Sequence, residues 1–244
     1  MRLRLASYNI QKAVGVDFRR DPMRIMDVVN ALEADVVALQ EVDKRLGARP
    51  SVLCRDFIGR ETDYEIAPLA DNEVSLGWHG NAVLVRRGLQ ITQVERVDLP
   101  GLEPRGAVRV DLRAATGVVS VIGAHLGLVR YHRRLQLQTI CEHLGDTPGR
   151  AGVMGDFNEW SMERGMEPLE RDFRIVSPGN SYHAARPIAG LDRFALGAEV
   201  SLQGAGVEEG PLASRASDHL PIWGDVEVTA PPGPAGDRQA EPAD

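Results

Sequence analysis

The segment Met154-Gly155-Asp156-Phe157-Asn158 decides the interpretation of this chain, because it has the pattern of a buried strand that ends in polar groups. Residues two apart in an extended segment point the same way, so Asp156 and Asn158 are expected to project together from the rim of a sheet. Gly155 lets the backbone turn there. A carboxylate beside a neutral amide suits the positioning of an attacking water near a metal-bound phosphate. Taken alone, the segment could also be an ordinary turn.

Other polar residues stand at the ends of apolar runs in the same way. They are Asn9, Glu41, His125 and the triplet Ser217-Asp218-His219. An Asn at a strand end is most often a turn former, and a lone His that closes a core strand is more often structural than catalytic. Each of these residues is therefore a candidate for a functional site only because the others occur with it.

Glu41 ends the apolar run 35–41, where a buried carboxylate without a partner would be costly. A metal ion or a cationic side chain would remove that cost. The alternative interpretation is a salt bridge at the rim with Lys44 or Arg45. Glu41 is therefore a candidate metal ligand.

Two further acidic positions lie near candidate imidazoles. Asp192 could hold the ring of His125 and favour its charged form, and the alternative for Asp192 is a salt bridge within a loop. Asp218 and His219 directly precede the last apolar strand, and the alternative there is a hydrogen-bonded turn. Adjacent residues cannot share a face in an extended strand, so a site at Asp218 and His219 requires a bend.

The bulk properties narrow the class of protein without excluding a nucleotide or phospholipid substrate. A length of 244 residues suits one large domain or two small ones. The net charge of −7 argues against a protein that coats nucleic acid through a broad basic face. There is no apolar run of about 18 residues and no signal-peptide core, so we expect no transmembrane segment and a cytoplasmic location. Two cysteines without metal-like spacing make a disulfide scaffold unexpected.

Strand and helix patterns alternate along the chain. Strands are predicted at 3–9, 35–41, 81–87, 107–113, 118–124, 151–157, 191–196 and 222–228. A helix is predicted to begin at Asp21-Pro22, and a second helix covers 131–146. We expect Arg130, Arg133 and Arg134 to lie on a solvated face of that second helix. Residues 1–229 are predicted to form one catalytic domain, and 230–244 a disordered tail.

Several strands are continuous apolar runs, so both faces of each sheet are expected to be covered. Two packed sheets with helices outside fit this pattern better than one open dinucleotide-binding sheet. No Gly-x-Gly-x-x-Gly follows the first strand, and no Gly-rich loop ends in Lys-Ser or Lys-Thr.

The ordered set of motifs resembles the endonuclease/exonuclease/phosphatase superfamily of metal-dependent phosphodiesterases. The matching pieces are Tyr8-Asn9-Ile10, Leu39-Gln40-Glu41-Val42, His125, Gly155-Asp156-Phe157-Asn158, Leu191-Asp192-Arg193 and Ser217-Asp218-His219. Finer features resemble a bacterial subgroup of small stand-alone phosphodiesterases. These features are Trp78-His79-Gly80-Asn81-Ala82, Pro104-Arg105-Gly106, His125-Leu126-Gly127-Leu128 and Asp156-Phe157-Asn158-Glu159-Trp160. The resemblance implies a four-layer α/β/β/α sandwich of two mixed sheets flanked by helices.

The resemblance also implies roles for single residues. The implied metal ligands are Glu41, Asn9 and Asp218. Asp156 is implied to activate water. Asn158 and His219 are implied to contact the phosphate. His125 and Asp192 are implied to form a catalytic pair beside the leaving group. Asn81 and Arg105 are implied to bind substrate. Gln11 stands where many DNA-cleaving relatives carry Asp.

We therefore expect a metal-dependent phosphodiesterase that uses Mg²⁺, or alternatively Mn²⁺, because this ion takes oxygen ligands and needs few carboxylates. The expected substrate is a small phosphoester or a phospholipid, cleaved by in-line attack of water. The alternatives are an Mg²⁺-dependent endonuclease or exonuclease on DNA or RNA, and a non-catalytic member of the fold that binds a partner. A monomer is expected.

Overall fold

A computed structural model describes residues 1–115, 117–145 and 147–229 of the chain. Within these ranges the strands are β1 (Arg2–Asn9), β2 (Val36–Gln40), β3 (Tyr64–Ile66), β4 (Ala82–Arg86), β5 (Ile91–Leu99), β6 (Arg105–Ala114), β7 (Gly117–His125), β8 (Ala151–Asp156), β9 (Phe173–Val176), β10 (Asp192–Gly197), β11 (Val200–Val207) and β12 (Ile222–Val228). The α-helices are α1 (Pro22–Ala31), α2 (Arg55–Glu61), α3 (Arg130–Leu144) and α4 (Ala213–Ala216). The predicted tail, residues 230–244, lies outside the described residues, and the single domain over 1–229 stays a prediction.

The strands form two six-stranded sheets. Their orders are β11-β12-β1-β2-β4-β3 and β5-β6-β7-β8-β10-β9. β1 is parallel to β2, and β7 is parallel to β8, whereas the other neighbours are antiparallel. Each parallel pair is connected through a helix, α1 in the first sheet and α3 in the second, as parallel strands require. Both sheets are therefore mixed, as predicted.

Alternating side chains of the central strands enter different layers of the core. In β2, Val36 and Ala38 pack between the two sheets, whereas Val37 and Leu39 pack on the outer face of the first sheet with residues of α1 and α2. The outer face of the second sheet packs against Leu137 and neighbouring residues of α3. Because both faces of each sheet are buried, the strands are continuous apolar runs. The predicted four-layer α/β/β/α sandwich is confirmed.

Local sequence explains where α1 begins. Pro22 occupies the first turn, and the Asp21 carboxylate accepts a hydrogen bond from the backbone N–H of Arg24 at 3.1 Å. This is the expected capping geometry, because the first N–H groups of a helix lack partners within the helix. In the described residues no helix is long and apolar enough to cross a membrane.

A buried ion cluster fixes the segment that follows β8 onto α3. The Glu159 carboxylate is 1% exposed and accepts from Arg130 at 2.7 Å and from Arg133 at 2.6 Å. The prediction of a solvated face was therefore wrong for Arg133, which is itself buried, because the Glu159 carboxylate attracts it inward. Because Glu159 follows Asp156 and Asn158 so closely, this cluster holds the strand end that carries them.

We expect Glu159→Gln to lower the free energy of unfolding at pH 7 by about 2–3 kcal/mol, because breaking a buried pair leaves Arg133 without its counter-ion. Arg130 and Arg133 outweigh burial and lower the pKa of Glu159 from 4.5 to about 2. Because the pKa of this carboxyl is lower in the folded than in the unfolded protein, the ionised carboxylate stabilises the fold at pH values above 4.5. This stabilisation is lost as pH falls from 4.5 towards about 2. Urea titrations at pH 7, 4.5 and 3 should show that the difference in the free energy of unfolding between wild type and Glu159→Gln becomes smaller as the pH is lowered. Glu167→Gln, which removes an exposed pair with Arg134, is the matched control. Equal stability of Glu159→Gln and wild type at pH 7 would contradict this account.

Candidate active site

The carboxyl ends of the four parallel strands β1, β2, β7 and β8 meet around one pocket, called here the active-site pocket. Eight of the residues predicted from sequence line it: Asn9, Glu41, Arg105, His125, Asp156, Asn158, Asp218 and His219. Gln11, Arg45, Glu103, Leu128, Trp160, Tyr182 and Leu191 complete the lining. Asp192 is hydrogen-bonded to the His219 ring but is not part of the lining, and Asn81 is not part of the lining either.

Asp156 is the centre of a hydrogen-bond network at the end of β8. Its carboxylate is nearly inaccessible and accepts from the Asn9 amide at 3.0 Å and from the backbone N–H of Asn158 at 2.9 Å. The Nε2 atoms of His125 and His219 lie 3.4 and 3.7 Å from its Oδ2. Burial raises the pKa of Asp156 to about 6, against the opposing charge of His219. A carboxylate with this pKa is suited to accept a proton near neutral pH.

His219 is held in its charged form. Burial by itself would lower its pKa, but the charges of Asp192 and Asp156 outweigh burial and raise the pKa to about 10. Its Nδ1 donates to Asp192 Oδ2 at 2.8 Å, and the Ser181 hydroxyl donates to the same oxygen at 2.6 Å. At pH 7 the Nε2–H of His219 is therefore a donor on the side of Asp156 and the pocket.

The predicted pair of His125 with Asp192 was wrong. β8 lies between β7 and β10, and Asp192 stands opposite Asp156 in the antiparallel register, so the strand order separates it from His125. His125 instead lies against Arg105, whose Nη1 is 3.0 and 2.9 Å from its two ring nitrogens. Burial and then the Arg105 charge hold the pKa of His125 well below its usual range. His125 is therefore a neutral ring beside a guanidinium.

Glu41 has the cationic neighbours that its burial requires. Its carboxylate contacts the Lys12 ammonium and accepts from Arg45 at 3.1 Å. Burial would raise its pKa, but Lys12 and Arg45 together lower it. The expected rim salt bridge thus exists to Arg45, while Lys12 was not foreseen. Glu41 is ionised and available as an anionic ligand.

The donors around Glu41 fit a hard divalent cation. The Gln11 Oε1 atom is buried without a hydrogen-bond partner among the described residues, and it lines the pocket with Asn9, Glu41 and Asp218. All of these groups offer oxygen, which Mg²⁺ and Mn²⁺ prefer.

Asp156, Asp192 and His219 form a second candidate cluster, with one ligand atom of each within 4.8 Å of the others. His219 is protonated and already bonded to Asp192, so it has no lone pair for a metal without losing that proton. We therefore interpret this cluster as a proton-holding network.

Asn81 does not line the pocket. It is fully buried, and its Nδ2 donates to the carbonyl of Gly106 at 2.9 Å and to that of Trp78 at 3.3 Å. These bonds tie the turn before β4 to β6. Its position corrects the implied substrate contact, because the side chain is fully buried and is not part of the pocket lining.

Two aromatic rings on the rim were missed by sequence reasoning. The Tyr182 ring lies 5.0 Å from the His219 ring, and Trp160 lies edge-on to Tyr182 at 5.9 Å. Trp160 is 60% exposed. Tyr182 lies in an irregular loop without any periodic pattern, so no sequence signal could have placed it. Trp160 is marked only by following the Asp156-Phe157-Asn158-Glu159 motif.

The sequence model that describes the Endonuclease/Exonuclease/phosphatase family matches residues 6–219 of this chain. The chain therefore belongs to this family, whose members are usually metal-dependent hydrolases of phosphoesters. A phosphoesterase or nuclease-like function follows from this membership.

Individual relatives agree with this membership. The chain is 26% identical over 251 residues to the uncharacterized protein YbhP of Escherichia coli K12, covering 92% of this chain and 96% of that protein. Among solved structures, a functionally unknown protein from Enterococcus faecalis V583 is similar at 19% identity and TM-score 0.73, covering 93% of this chain and all of that one. TDP2 of D. rerio, complexed with single-strand DNA product, is similar at 15% identity and TM-score 0.69, covering 93% and 99%. At these identities the solved structures show the shared fold.

We expect Asp192→Asn to lower the pKa of His219 by about one unit or more, because a nearby opposite charge contributes about 1–3 units. An NMR titration of the histidine ring signals measures this shift directly, without any assay of activity. Asp225→Asn, which removes a surface pair with Arg4, is the control and should leave His219 unchanged. A His219 pKa in folded Asp192→Asn equal to that of wild type would show that Asp192 does not hold the proton.

Proposed function

We propose that this protein is a metal-dependent phosphodiesterase that hydrolyses a small phosphodiester, or the phosphodiester of a phospholipid, by in-line attack of water. The observation that carries the proposal is the pair formed by Asp156 and protonated His219 in a pocket that is also lined by the oxygen ligands Asn9, Glu41 and Asp218. Phosphoryl transfer depends mainly on positioning and charge stabilisation, and this pocket offers both.

Asp156 is proposed to receive the proton of the attacking water. Its pKa of about 6 places it in the range where a carboxylate is both ionised and basic at neutral pH. The amide of Asn9 and the backbone of Asn158 fix the orientation of its two oxygens. The water would therefore meet one defined lone pair.

His219 and Asn158 are proposed to hold the phosphoryl oxygens. The Nε2–H of His219 carries positive charge into a buried site, where such a donor is worth more than in water. Asn158 uses one amide hydrogen for the Leu126 carbonyl at 2.9 Å, which leaves its second hydrogen for the substrate. Arg105, which lies beside neutral His125 and pairs with Glu103, is a further cation in the lining of the pocket.

Glu41, with Asn9, Gln11 and Asp218 near it, is proposed to hold the metal. When bound there, Mg²⁺ would supply charge stabilisation at the phosphoryl and leaving oxygens. The ammonium of Lys12, which now contacts Glu41, would have to move aside or share the carboxylate. A monomeric state and a cytoplasmic location remain predictions.

A nuclease is the second candidate, and the exposed ring of Trp160 beside Tyr182 favours it, because such rings can stack on a nucleobase. The net charge of −7 and the absence of Asp at position 11 favour a small diester instead. A non-catalytic role has less support, since Asp156, Asp192 and His219, the residues proposed to hold and accept protons, are all present and in contact.

The proposal is tested with bis-p-nitrophenyl phosphate as substrate. Chelation should abolish turnover, and added Mg²⁺ or Mn²⁺ should restore it. Glu41→Gln should reduce turnover by about 10²-fold or more, because a metal ligand is lost. Glu73→Gln, an exposed residue, is the matched control.

Full activity of Glu41→Gln in excess chelator would refute the metal assignment. Rapid nicking of plasmid DNA with a steep salt dependence, beside slow hydrolysis of the small diester, would favour the nuclease.

A further inference from the structure

A second pocket opens beside the active-site pocket and is continuous with it. The two share Glu41, Arg45, Glu103, Arg105 and His125. Beyond these shared residues it extends towards Lys44, Arg49 and His79. Its volume, which includes the part open to solvent, is about 540 Å³. We call it the Arg49 pocket. His219, Asp156 and Asn158 do not line it.

The carboxylates that line the Arg49 pocket already have partners. Glu41 is held by Lys12 and Arg45, Glu103 by Arg105, and Asp43 by the backbone N–H groups of Leu76 and Gly77 at 2.7 and 3.2 Å. Glu41 is the ligand that this pocket shares with the active-site pocket, and the other two carboxylates are each satisfied by protein donors. The three carboxylates leave an excess of positive charge in the pocket.

That excess belongs to Lys44 and Arg49. Among the described residues neither side chain forms a direct ion pair with a carboxylate, and Arg49 interacts with Asp43 only through the longer-range attraction of the two charges. Arg49 instead donates from Nη1 to the Nδ1 of His79 at 3.0 Å. Burial and the Arg49 charge lower the pKa of His79, so its ring is neutral and accepts this bond. Arg49 keeps further N–H donors in a planar fork, the geometry that matches a phosphate group.

Several non-glycine residues around the Arg49 pocket have a left-handed backbone conformation. Lys12, Glu41, Arg49 and His79 have φ values of 55°, 58°, 52° and 47°. Each is a non-glycine residue in the left-handed region, where side chains are disfavoured, and such residues gather at ligand sites. Four of them line this one pocket.

We propose that the Arg49 pocket binds a second phosphate group of the substrate, next to the phosphodiester that is cleaved. Arg49 and Lys44 contact this group, and Arg105 lies between it and the scissile phosphate. The preferred substrate is therefore a phosphodiester that carries an additional phosphate monoester. This inference rests on the proposed phosphodiesterase function and names its substrate class. It also explains how a chain of net charge −7 attracts a highly charged substrate.

Two matched pairs of esters test the proposal. The first pair is thymidine 5′-(p-nitrophenyl phosphate) and its 3′-phosphate, and the second is glycerophosphoglycerol and its terminal phosphate monoester. In each pair only the second phosphate differs. Wild type should favour the phosphorylated member in kcat/KM by about tenfold or more, as expected for charge-assisted hydrogen bonds. A preference in one pair only identifies the nucleoside or the glycerol scaffold as the source of the phosphate.

Arg49→Gln and Lys44→Gln should each reduce this preference about fivefold or more, because each removes one charged contact. Arg171→Gln, whose side chain is 90% exposed and pairs with Asp172, is the control and should keep the preference. Equal kcat/KM for the two members of both pairs in wild type would overturn the proposal. A preference that survives in both Arg49→Gln and Lys44→Gln would also overturn it.

A binding measurement separates this inference from the proposed function. Calorimetry compares thymidine 3′,5′-bisphosphate with thymidine 5′-monophosphate, on wild type and on Arg49→Gln, in the absence of turnover. Tighter binding of the bisphosphate that requires Arg49 supports the pocket even if no ester is hydrolysed. Hydrolysis of bis-p-nitrophenyl phosphate with equal binding of the two nucleotides would leave the function intact and refute the pocket.

Discussion

A carboxylate as buried as Asp156 needs a positive charge beside it, and protonated His219 supplies that charge. The rest of the site depends on this pairing. Asp192 and Ser181 keep the proton on His219, and Asn9 and Asn158 fix the carboxylate that faces it. The result is a proton acceptor and a charged donor a few ångströms apart, the combination that hydrolysis of a phosphodiester requires.

The fold brings these groups together through two parallel strand pairs. β1 ends at Asn9 and Glu41 directly follows β2, while β7 and β8 end at His125 and Asp156. Because parallel strands end at the same edge, and because the two sheets pack face to face, the four ends converge. The cluster of Glu159 with the two arginines of α3 then fixes the end of β8.

Much of this arrangement could be predicted from local sequence. Apolar runs that end in polar residues marked the central strands, and the Asp21-Pro22 pair marked the start of α1. The four edge strands β3, β5, β9 and β11 were missed, because β3 has only three residues and half-buried edges such as β5 carry mixed polar and apolar residues without a clear period. The partner of Asp192 could not be predicted either. It depends on the strand order β7-β8-β10, which residue spacing does not encode.

The dependence of kcat/KM on pH tests the central claim most directly, since the site must hold an ionised Asp156 and a protonated His219 at once. The account predicts activity that rises through about pH 6, as Asp156 loses its proton, and that persists until His219 loses its own near pH 10. In Asp192→Asn the upper limb should move to lower pH while the lower limb remains. A rate that falls as pH rises from 6 to 8 in wild type would contradict the account, because His219 would then act as a neutral ring.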